Sequence, residues 1–325
     1  MAYYIIRRIL YAFPLLLGVN ILTFLLFFVV NSPDDMARMQ LGQKHITDQA
    51  VETWKEQHGY DLPLFWNDKA QGSGKFSETV FYTKSLGLFL LRFGRSDSGR
   101  DIGSDILQRM WPSLAIAIPS LILGLIANIS FAVMMVFFRS SYLEIWGGIA
   151  CVTLMSVSAL FYIILGQFFV GKFLQLVPIS GYDTGLNSVK FVILPVLIGV
   201  GSGLGSGTRW YRTLFLEEVE KDYVRTARAK GLSEPRVLFT HVLQNALIPI
   251  LTGVVVILPL LFMGSLITES FFSIPGLGSY TIDAIAQQDF AIVRSMVFLG
   301  SALYILGLLL TDISYTLVDP RVRLS

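Results

Sequence analysis

The sequence predicts an all-α membrane protein with about six transmembrane helices, and three observations support this prediction. Of its 325 residues, 54% are hydrophobic and only 15% are charged, whereas a soluble globular domain carries about 25% charged residues. The mean hydropathy is +0.63. The apolar residues also form runs of the length that a membrane helix needs, about 20 residues. The predicted spans are Ile9–Val30, Ser113–Phe138, Ile145–Phe169, Phe191–Thr208, Ile248–Ile267 and Ile292–Thr311.

The first and fourth apolar runs have features that bear on whether each forms a membrane helix. The first follows Arg7 and Arg8, as in a secretory signal peptide, but it is longer than a signal core and no small-x-small cleavage site follows it. We therefore expect a retained membrane helix. The fourth run is short and rich in glycine, but apolar residues resume at Leu214–Leu216. We expect one helix there that continues into the cytoplasm.

The basic residues of the short loops predict the orientation in the membrane. They lie before the first span, between the second and third spans, within residues 209–236 and after the last span. Residues 269–291, by contrast, contain no Lys or Arg. If the spans alternate, all the basic segments lie on one side, so we expect both termini in the cytoplasm. The basic residues concerned are Arg7, Arg8, Arg139, Arg209, Arg212, Lys221, Arg225, Arg228, Lys230, Arg321 and Arg323.

These spans imply three parts: residues 1–30 with the first span, an external loop region at 31–112, and a core at 113–325 that contains a cytoplasmic loop at 217–249. The external region is too long for the charge rule, but its patterning predicts folded structure. The first predicted amphipathic helix contains Ile46, Val51, Trp54 and Lys55 and ends at His58-Gly59. The second contains Ile102, Ile106, Leu107 and Met110, and we expect it to lie at the membrane surface before Pro112 begins the second span.

The stretch Glu217–Pro249 is too polar to span a membrane and too regular to be a simple loop. Asp222 is a plausible N-cap for a helix that runs through Lys230, and Gly231 suits the left-handed conformation that ends a helix. Ser233 then caps a second helix. From physical chemistry alone, this helix, turn and helix is either a docking element or an interfacial helix in a basic loop.

Further candidate positions lie near the ends of the last two spans. Glu269 opens a segment that Pro275 and Gly276 prevent from continuing as a helix, so the chain either folds back into the external mouth as part of a gate or simply turns. Asp312 lies near the cytoplasmic end of the last span. We expect it to form a structural ion pair or hydrogen bond, with Arg209 or Arg212, or to take part in gating.

Several motifs together resemble the permeases of ATP-binding-cassette importers, in the branch that carries oligopeptides, dipeptides and nickel. Residues 222–237 read DYVRTARAKGLSEPRV, with Arg225-Thr226-Ala227 where the general motif has Glu-Ala-Ala and with Gly231 in register. The long loop and the ending resemble the first permease of the pair, and Gln71–Lys84 fits the pattern least. The other matches are YIIRRIL, HGYDLPL, GRSDSGRDI, LVPISGYD, HVLQNALIP, TESFFSIPGLG and DPRVRL.

The resemblance implies a type I importer permease fold in a bacterial or archaeal inner membrane, and a function in peptide import. It implies as partners a second permease, two ATPase subunits and a periplasmic or lipid-anchored binding protein, with ATP and Mg on the ATPases and no cofactor on this chain. It also implies that a coupling helix transmits ATP-driven closure, and we expect Ala227 to be buried against an ATPase. The coupling residues implied are Asp222, Tyr223, Arg225, Thr226, Ala227, Arg228, Lys230 and Gly231.

Other function classes have weaker support in the sequence. A stand-alone secondary transporter would show mid-membrane charges or an inverted repeat, and an intramembrane enzyme would show a metal pair or a nucleophile motif. The glycines at 201–207 lack the Lys-Ser/Thr of a phosphate loop, so they indicate close helix packing, and no Walker A motif occurs elsewhere. Within the same importer family, nickel chelates and oligosaccharides remain alternative cargoes.

Overall fold

The structure is a computed structural model that describes residues 2–42 and 47–318. Ile46 of the predicted first amphipathic helix lies outside the described residues, as does the DPRVRL ending with Arg321 and Arg323. The described α-helices are α1 (Ala2–Phe24), α2 (Pro33–Leu41), α3 (Asp48–His58), α4 (Gly74–Ser77), α5 (Ile102–Phe137), α6 (Tyr142–Ser156), α7 (Ala159–Gly166), α8 (Ser188–Val219), α9 (Asp222–Ala229), α10 (Glu234–Arg236), α11 (Leu243–Leu260), α12 (Leu266–Phe271), α13 (Leu277–Ala286) and α14 (Phe290–Val318).

Helical stretches that are long and apolar enough to cross a membrane dominate the described chain. There are five of them, or six if a bent pair of helices counts as one span. Across the described ranges, β pairing is limited to one isolated bridge between Arg95 and Asp101. The predicted all-α membrane fold with about six spans is therefore confirmed. The five stretches are Ile6–Val30, Ile102–Phe137, Gly185–Val219, Glu234–Phe271 and Phe290–Ser314.

The third predicted span, Ile145–Phe169, is sharply bent in the structure. The helices over Tyr142–Ser156 and Ala159–Phe173 meet at 90°. The backbone of Val157 is extended, and the Ser158 hydroxyl then accepts a hydrogen bond from the backbone N–H of Phe161 at 3.4 Å. A serine side chain that caps a new helix favours a break at that position, and hydropathy alone does not reveal it.

The second predicted span also differs from expectation, because Pro112 does not open a new helix. The predicted surface helix and the predicted span are one helix of 36 residues, α5, with Pro112 and Pro119 inside it. A proline inside a helix removes one backbone hydrogen bond. The long apolar helix persists on both sides of each proline despite that loss.

The described chain divides into two compact units, of which the first comprises residues 2–42, 47–109 and 280–309. Its core is an aromatic cluster in which Phe24 of α1 contacts Phe28 and Phe81, with ring centroids 4.8 Å and 5.0 Å apart. Val51 and Trp54 of α3 belong to this cluster, which confirms the amphipathic pattern predicted for that helix. The cluster members are Phe24, Phe28, Met36, Ala37, Val51, Trp54, Tyr60, Val80 and Phe81.

Helix α3 ends where the sequence predicts, and a threonine side chain caps its start. The Thr47 side chain accepts a hydrogen bond from the backbone N–H of Ala50 at 3.3 Å. At the other end Gly59 adopts a left-handed conformation with φ of 64°. Glycine reaches that region without a steric penalty, so His58-Gly59 ends the helix.

The second unit comprises residues 110–279 and 310–318. Helix α8 runs unbroken through Leu214–Leu216, which confirms that the short fourth run continues as one helix. A Cβ at Gly205 or Gly207 would overlap the Cys151 carbonyl or the Asn128 side chain, so these two glycines permit close packing, whereas Gly201 and Gly203 face open space.

Candidate functional site

The helix predicted to couple the chain to a partner is α9, and its boundaries lie within one residue of the prediction. Lys221 and not Asp222 is the N-cap, so Asp222 occupies the first helical position. Gly231 has φ of 79°, as expected, and its N–H donates to the Arg228 carbonyl at 2.9 Å. The left-handed residue turns the chain into α10, which Ser233 precedes as N-cap.

One face of α9 is already buried inside this chain. Val224 and Ala227 are 0% and 5% exposed. This corrects the expectation that a partner subunit buries Ala227, because residues of α5, α8, α11 and the segment before α11 already cover it. The cluster comprises Ala132, Val133, Val136, Phe215, Val219, Val224, Ala227, Val237, Leu238, Val242, Ala246 and Ile250.

The opposite face of α9 is exposed, and its charged side chains differ in how they are held. The Arg228 guanidinium donates to both Glu234 oxygens, at 2.8 Å and 3.2 Å. Arg225 lies 3.6 Å from Asp222, and both side chains are largely exposed. A pair of that kind contributes little to stability, so Arg225, like the exposed Lys230, is available to another molecule.

Tyr223 and Thr226 fasten the start of the same helix. The Tyr223 hydroxyl donates to Glu218, and the Thr226 hydroxyl donates to the Asp222 carbonyl at 2.9 Å. Burial, followed by the hydrogen bond to Glu218, raises the pKa of Tyr223 to about 12. The phenol therefore remains a donor throughout the physiological pH range. The exposed basic face is thus attached to a helix that is fixed at its start, along its inner face and at its glycine turn.

The predicted break after Glu269 is confirmed as a turn between two helices. α12 ends at Phe271 and α13 begins at Leu277, and the exposed Pro275 lies in the connecting turn. The Glu269 side chain is 1% exposed. Its Oε2 accepts hydrogen bonds from the backbone N–H groups of Gly278, at 2.7 Å, and Ser279, at 3.1 Å.

The same carboxylate is held from its other side. Its Oε1 accepts from the Ser265 N–H at 3.1 Å, and the Ser113 hydroxyl hydrogen-bonds to it as well. That hydroxyl in turn accepts from the Leu277 N–H at 2.8 Å. Glu269 therefore binds the N-terminus of α13 in the way that an anion does, with the free N–H groups and the helix dipole both favourable. Its role as a gate stays a prediction.

Glycines leave the space that this carboxylate occupies. A Cβ at Gly276 would overlap Glu269 Oε2 and the Ser113 hydroxyl, and a Cβ at Gly264 would overlap Glu269 Oε1. Gly264 also has φ of 67°, which favours glycine. The sequence singled out Gly276 because it ends a helix; the structure adds that it makes room for a buried acid.

The ion pair or hydrogen bond expected between Asp312 and Arg209 or Arg212 stays a prediction, and both arginines have other contacts. Arg212 of α8 pairs with Glu144 of α6. Arg209 lies with Nη1 4.0 Å from the Met155 sulfur. Asp312 lies half-buried in α14, and its role in gating remains a hypothesis.

Two polar side chains that sequence reasoning missed, Ser113 and Arg294, are prominent in the structure, as is Gln167 of the third predicted span. Gln167 donates to the carbonyls of Ile179, at 3.1 Å, and Phe271, at 3.0 Å. Ser113 completes the Glu269 site. Arg294 is 3% exposed near the start of α14. A signal for Arg294 was present, since an ionisable residue within an apolar span is a functional-site hypothesis in its own right.

Metal binding has no support in the described ranges, where no group of three or more His, Cys, Asp or Glu side chains is arranged to hold an ion. The predicted absence of a cofactor on this chain stays a prediction. The two arrangements that the structure does build are an exposed basic face on α9 and a hydrogen-bonded turn at Glu269.

Comparison with known proteins agrees with the resemblance seen in the sequence. Residues 105–324 match the family described as binding-protein-dependent transport system inner membrane component, and residues 1–83 match the N-terminal region described for the membrane component of such systems. The chain is 31% identical to the oligopeptide transport system permease protein AppB of Bacillus subtilis, over 99% of this chain and 100% of that protein.

Two further relatives cover the chain equally well. The di/tripeptide transport system permease protein DppB of Pseudomonas aeruginosa and the glutathione transport system permease protein GsiC of Shigella flexneri are each 30% identical, over 98% of both chains. Full-length similarity of this kind, together with the apolar helices, confirms the predicted resemblance to multi-pass permeases. The chain therefore belongs to the family of binding-protein-dependent transport system inner membrane components.

Proposed function

We propose that this chain is the first of two permease subunits in an ATP-driven importer of di- or oligopeptides. Its relatives are named as permeases for oligopeptides, for di- and tripeptides and for glutathione, and these compounds share peptide bonds and free carboxylates. The proposed complex also contains a second permease, two ATPase subunits and an external binding protein. ATP hydrolysis takes place on the ATPases.

The proposed topology places both termini in the cytoplasm and residues 31–112 outside. It rests on the positive-inside rule, since Lys and Arg are concentrated in residues 209–236 and are absent from residues 269–291. On this topology α9 lies at the cytoplasmic surface, where an ATPase is present to contact it. The membrane concerned is the inner membrane of a bacterium or archaeon.

The docking face of α9 is the observation that carries this proposal. Val224 and Ala227 attach one side of the helix to the core, while Arg225 and Lys230 are exposed on the other. A basic face on a fixed helix suits charge-assisted hydrogen bonds with a partner, and motion of that partner would be passed directly to α5, α8 and α11. ATP-driven closure of the ATPases would then shift the permeases between outward and inward access.

Co-purification tests the docking face. The chain is expressed with its second permease and tagged ATPases, and the amount of ATPase retained per permease is measured. Arg225→Glu reverses an exposed charge on α9, so we expect it to lose most of the ATPase while the protein still inserts. Lys69→Glu, the same reversal on an exposed residue of the external region, is the matched control and should retain the ATPase.

Uptake of a labelled dipeptide by cells that contain the complete set of subunits tests the cargo. Uptake should require this chain, both ATPases and the binding protein. In the co-purification test, full retention of the ATPase by Arg225→Glu would show that α9 is not the docking element. Uptake of nickel chelates or oligosaccharides in place of peptides would leave the importer assignment intact and overturn the peptide assignment.

A further inference from the structure

A polar cavity of about 530 Å³ lies within the first unit. Its walls come from the end of α3, the loop at residues 93–99 and the start of α14. Charged side chains lining it include Lys84, Asp97 and Arg294. Pockets for small ligands have volumes of about 300–1,000 Å³, so the cavity is large enough for one.

Arg294 is the unusual member of this wall. Its side chain is 3% exposed, and its Nε has no hydrogen-bond partner among the described residues. The guanidinium lies over the ring of Phe28, 5.2 Å from the ring centroid. A cation–π contact offsets only part of the cost of burying a charge. The guanidinium therefore presents unused hydrogen-bonding capacity to the cavity.

A second cation, Lys84, lines the same cavity. Its Nζ lies over the ring of Tyr60, 5.3 Å from the centroid. Burial lowers the pKa of Lys84, and the positive charge of Arg294 lowers it further. The two cations are therefore close enough to repel each other, and an anion placed between them would relieve that repulsion.

The carboxyl groups of Asp97 and Asp289 are engaged by other donors, and Asp97 also attracts both cations of the cavity. Asp97 accepts a hydrogen bond from Gln40 Nε2 at 2.6 Å and lies 4.0 Å from His58 Nε2. Asp289 accepts from the backbone N–H groups of Asp97, at 3.0 Å, and Ile292, at 3.1 Å. Burial, followed by the charge of Asp289, raises the pKa of Asp97 to about 6.

We propose that this cavity binds the carboxylate of a small peptide, with Arg294 and Lys84 as its ligands. A guanidinium matches the two oxygens of a carboxylate in a bidentate pair, and a buried one does so with the least competition from water. Asp97, which also lines the cavity, suits the ammonium group of the same zwitterion. The inference rests on the proposed peptide cargo, and on the proposed topology the cavity belongs to the external side.

Binding to the purified full-length chain in lipid nanodiscs, without partners, tests the assignment. The probes are alanyl-alanine and its C-terminal amide, and the dissociation constants are measured by calorimetry. We expect the amide to bind at least tenfold more weakly, because it lacks the carboxylate. Arg294→Gln should weaken alanyl-alanine binding at least tenfold and leave amide binding unchanged, and Lys84→Gln should have a smaller effect in the same direction.

Arg38→Gln is the matched control, since it removes a charge from an exposed arginine of the same unit that pairs with Asp48. It should bind alanyl-alanine like the parent. If Arg294→Gln fails to fold, Lys84→Gln carries the test, because Lys84 is only half-buried. Equal affinity of the parent for dipeptide and amide would overturn the proposal.

A carboxylate of the binding protein is the other source of the same chemistry. If alanyl-alanine does not bind, but Arg294→Gln and not Arg38→Gln abolishes capture of the loaded binding protein, the site takes a partner side chain and the peptide assignment is overturned. Dipeptide uptake by the complete parent transporter is measured in parallel. Normal uptake without binding at this cavity would reject this inference alone and leave the proposed function standing.

Discussion

Replacing Glu269 by glutamine changes one atom of a buried side chain and should open the turn between α12 and α13. The carboxylate accepts hydrogen bonds from the backbone N–H groups of Ser265, Gly278 and Ser279. Glutamine offers one oxygen in place of two, and its NH₂ group must then face at least one of these donors. The substitution is therefore nearly isosteric but electrostatically unfavourable.

The cost follows from these contacts. If the amide oxygen keeps Gly278 and Ser279, the part-buried Ser265 N–H faces the NH₂ group without an acceptor, which costs about 1–3 kcal/mol. The two remaining bonds lose their charge assistance, roughly 1 kcal/mol each. The sum of about 3–5 kcal/mol corresponds to an opening equilibrium that is at least about a hundredfold more favourable.

Hydrogen–deuterium exchange of the purified protein in nanodiscs measures this opening. The amides of Gly278 and Ser279 should exchange at least about a hundredfold faster in Glu269→Gln than in the parent. Glu217→Gln, the same chemical change on an exposed residue of α8, should leave them unchanged. Unchanged protection at both amides in Glu269→Gln would show that the carboxylate does not hold this turn, and the reasoning from burial and donors would fail.

Four further outcomes are expected. Because φ at Gly231 is 79°, the backbone of Gly231→Val should be strained by about 1–2 kcal/mol, and the variant should insert into the membrane but lose the coupling of transport to ATP hydrolysis. Gly231→Asn should retain more uptake, because asparagine tolerates the left-handed backbone region better. Normal uptake by the valine variant would show that Gly231 has no role in coupling. Ala227→Asp should destabilise α9 itself, because the residue is 5% exposed within the core of this chain. The variant should therefore lose ATPase on purification, whereas Lys221→Ala should retain it. Full ATPase retention by Ala227→Asp would contradict the inference that the buried side chain of Ala227 anchors α9. The pKa of Asp97 is raised from 3.8 to about 6, so the folded state binds this proton more tightly than the unfolded state does. The apparent melting temperature should therefore fall as the pH rises from about 4 to 6. Asp97→Asn should flatten that fall, and an identical pH profile for the variant would refute the role of Asp97. The purified chain alone should not hydrolyse ATP, and turnover that persists after removal of contaminating ATPases would contradict the assignment of hydrolysis to partner subunits.

The sequence by itself determined the features that depend on local composition. Runs of about 20 apolar residues are sufficient to predict membrane helices, and the predicted continuation of the fourth run is present in α8. Gly231 was predicted correctly because a helix end followed by glycine is a local signal. The break around Pro275 and Gly276 is local in the same sense, since proline and glycine limit the backbone wherever they occur.

Only the tertiary structure decided which side chains meet. Ala227 could be assigned to a face of α9 from the helical period, but not to the inner one, because that depends on residues of α5, α8 and α11 that pack against it. The partners of Glu269 include Ser113, more than 150 residues earlier in the chain. Arg294 shows the same limit: sequence places a charge in an apolar helix, whereas the cavity in front of it exists only after segments distant in the chain have come together.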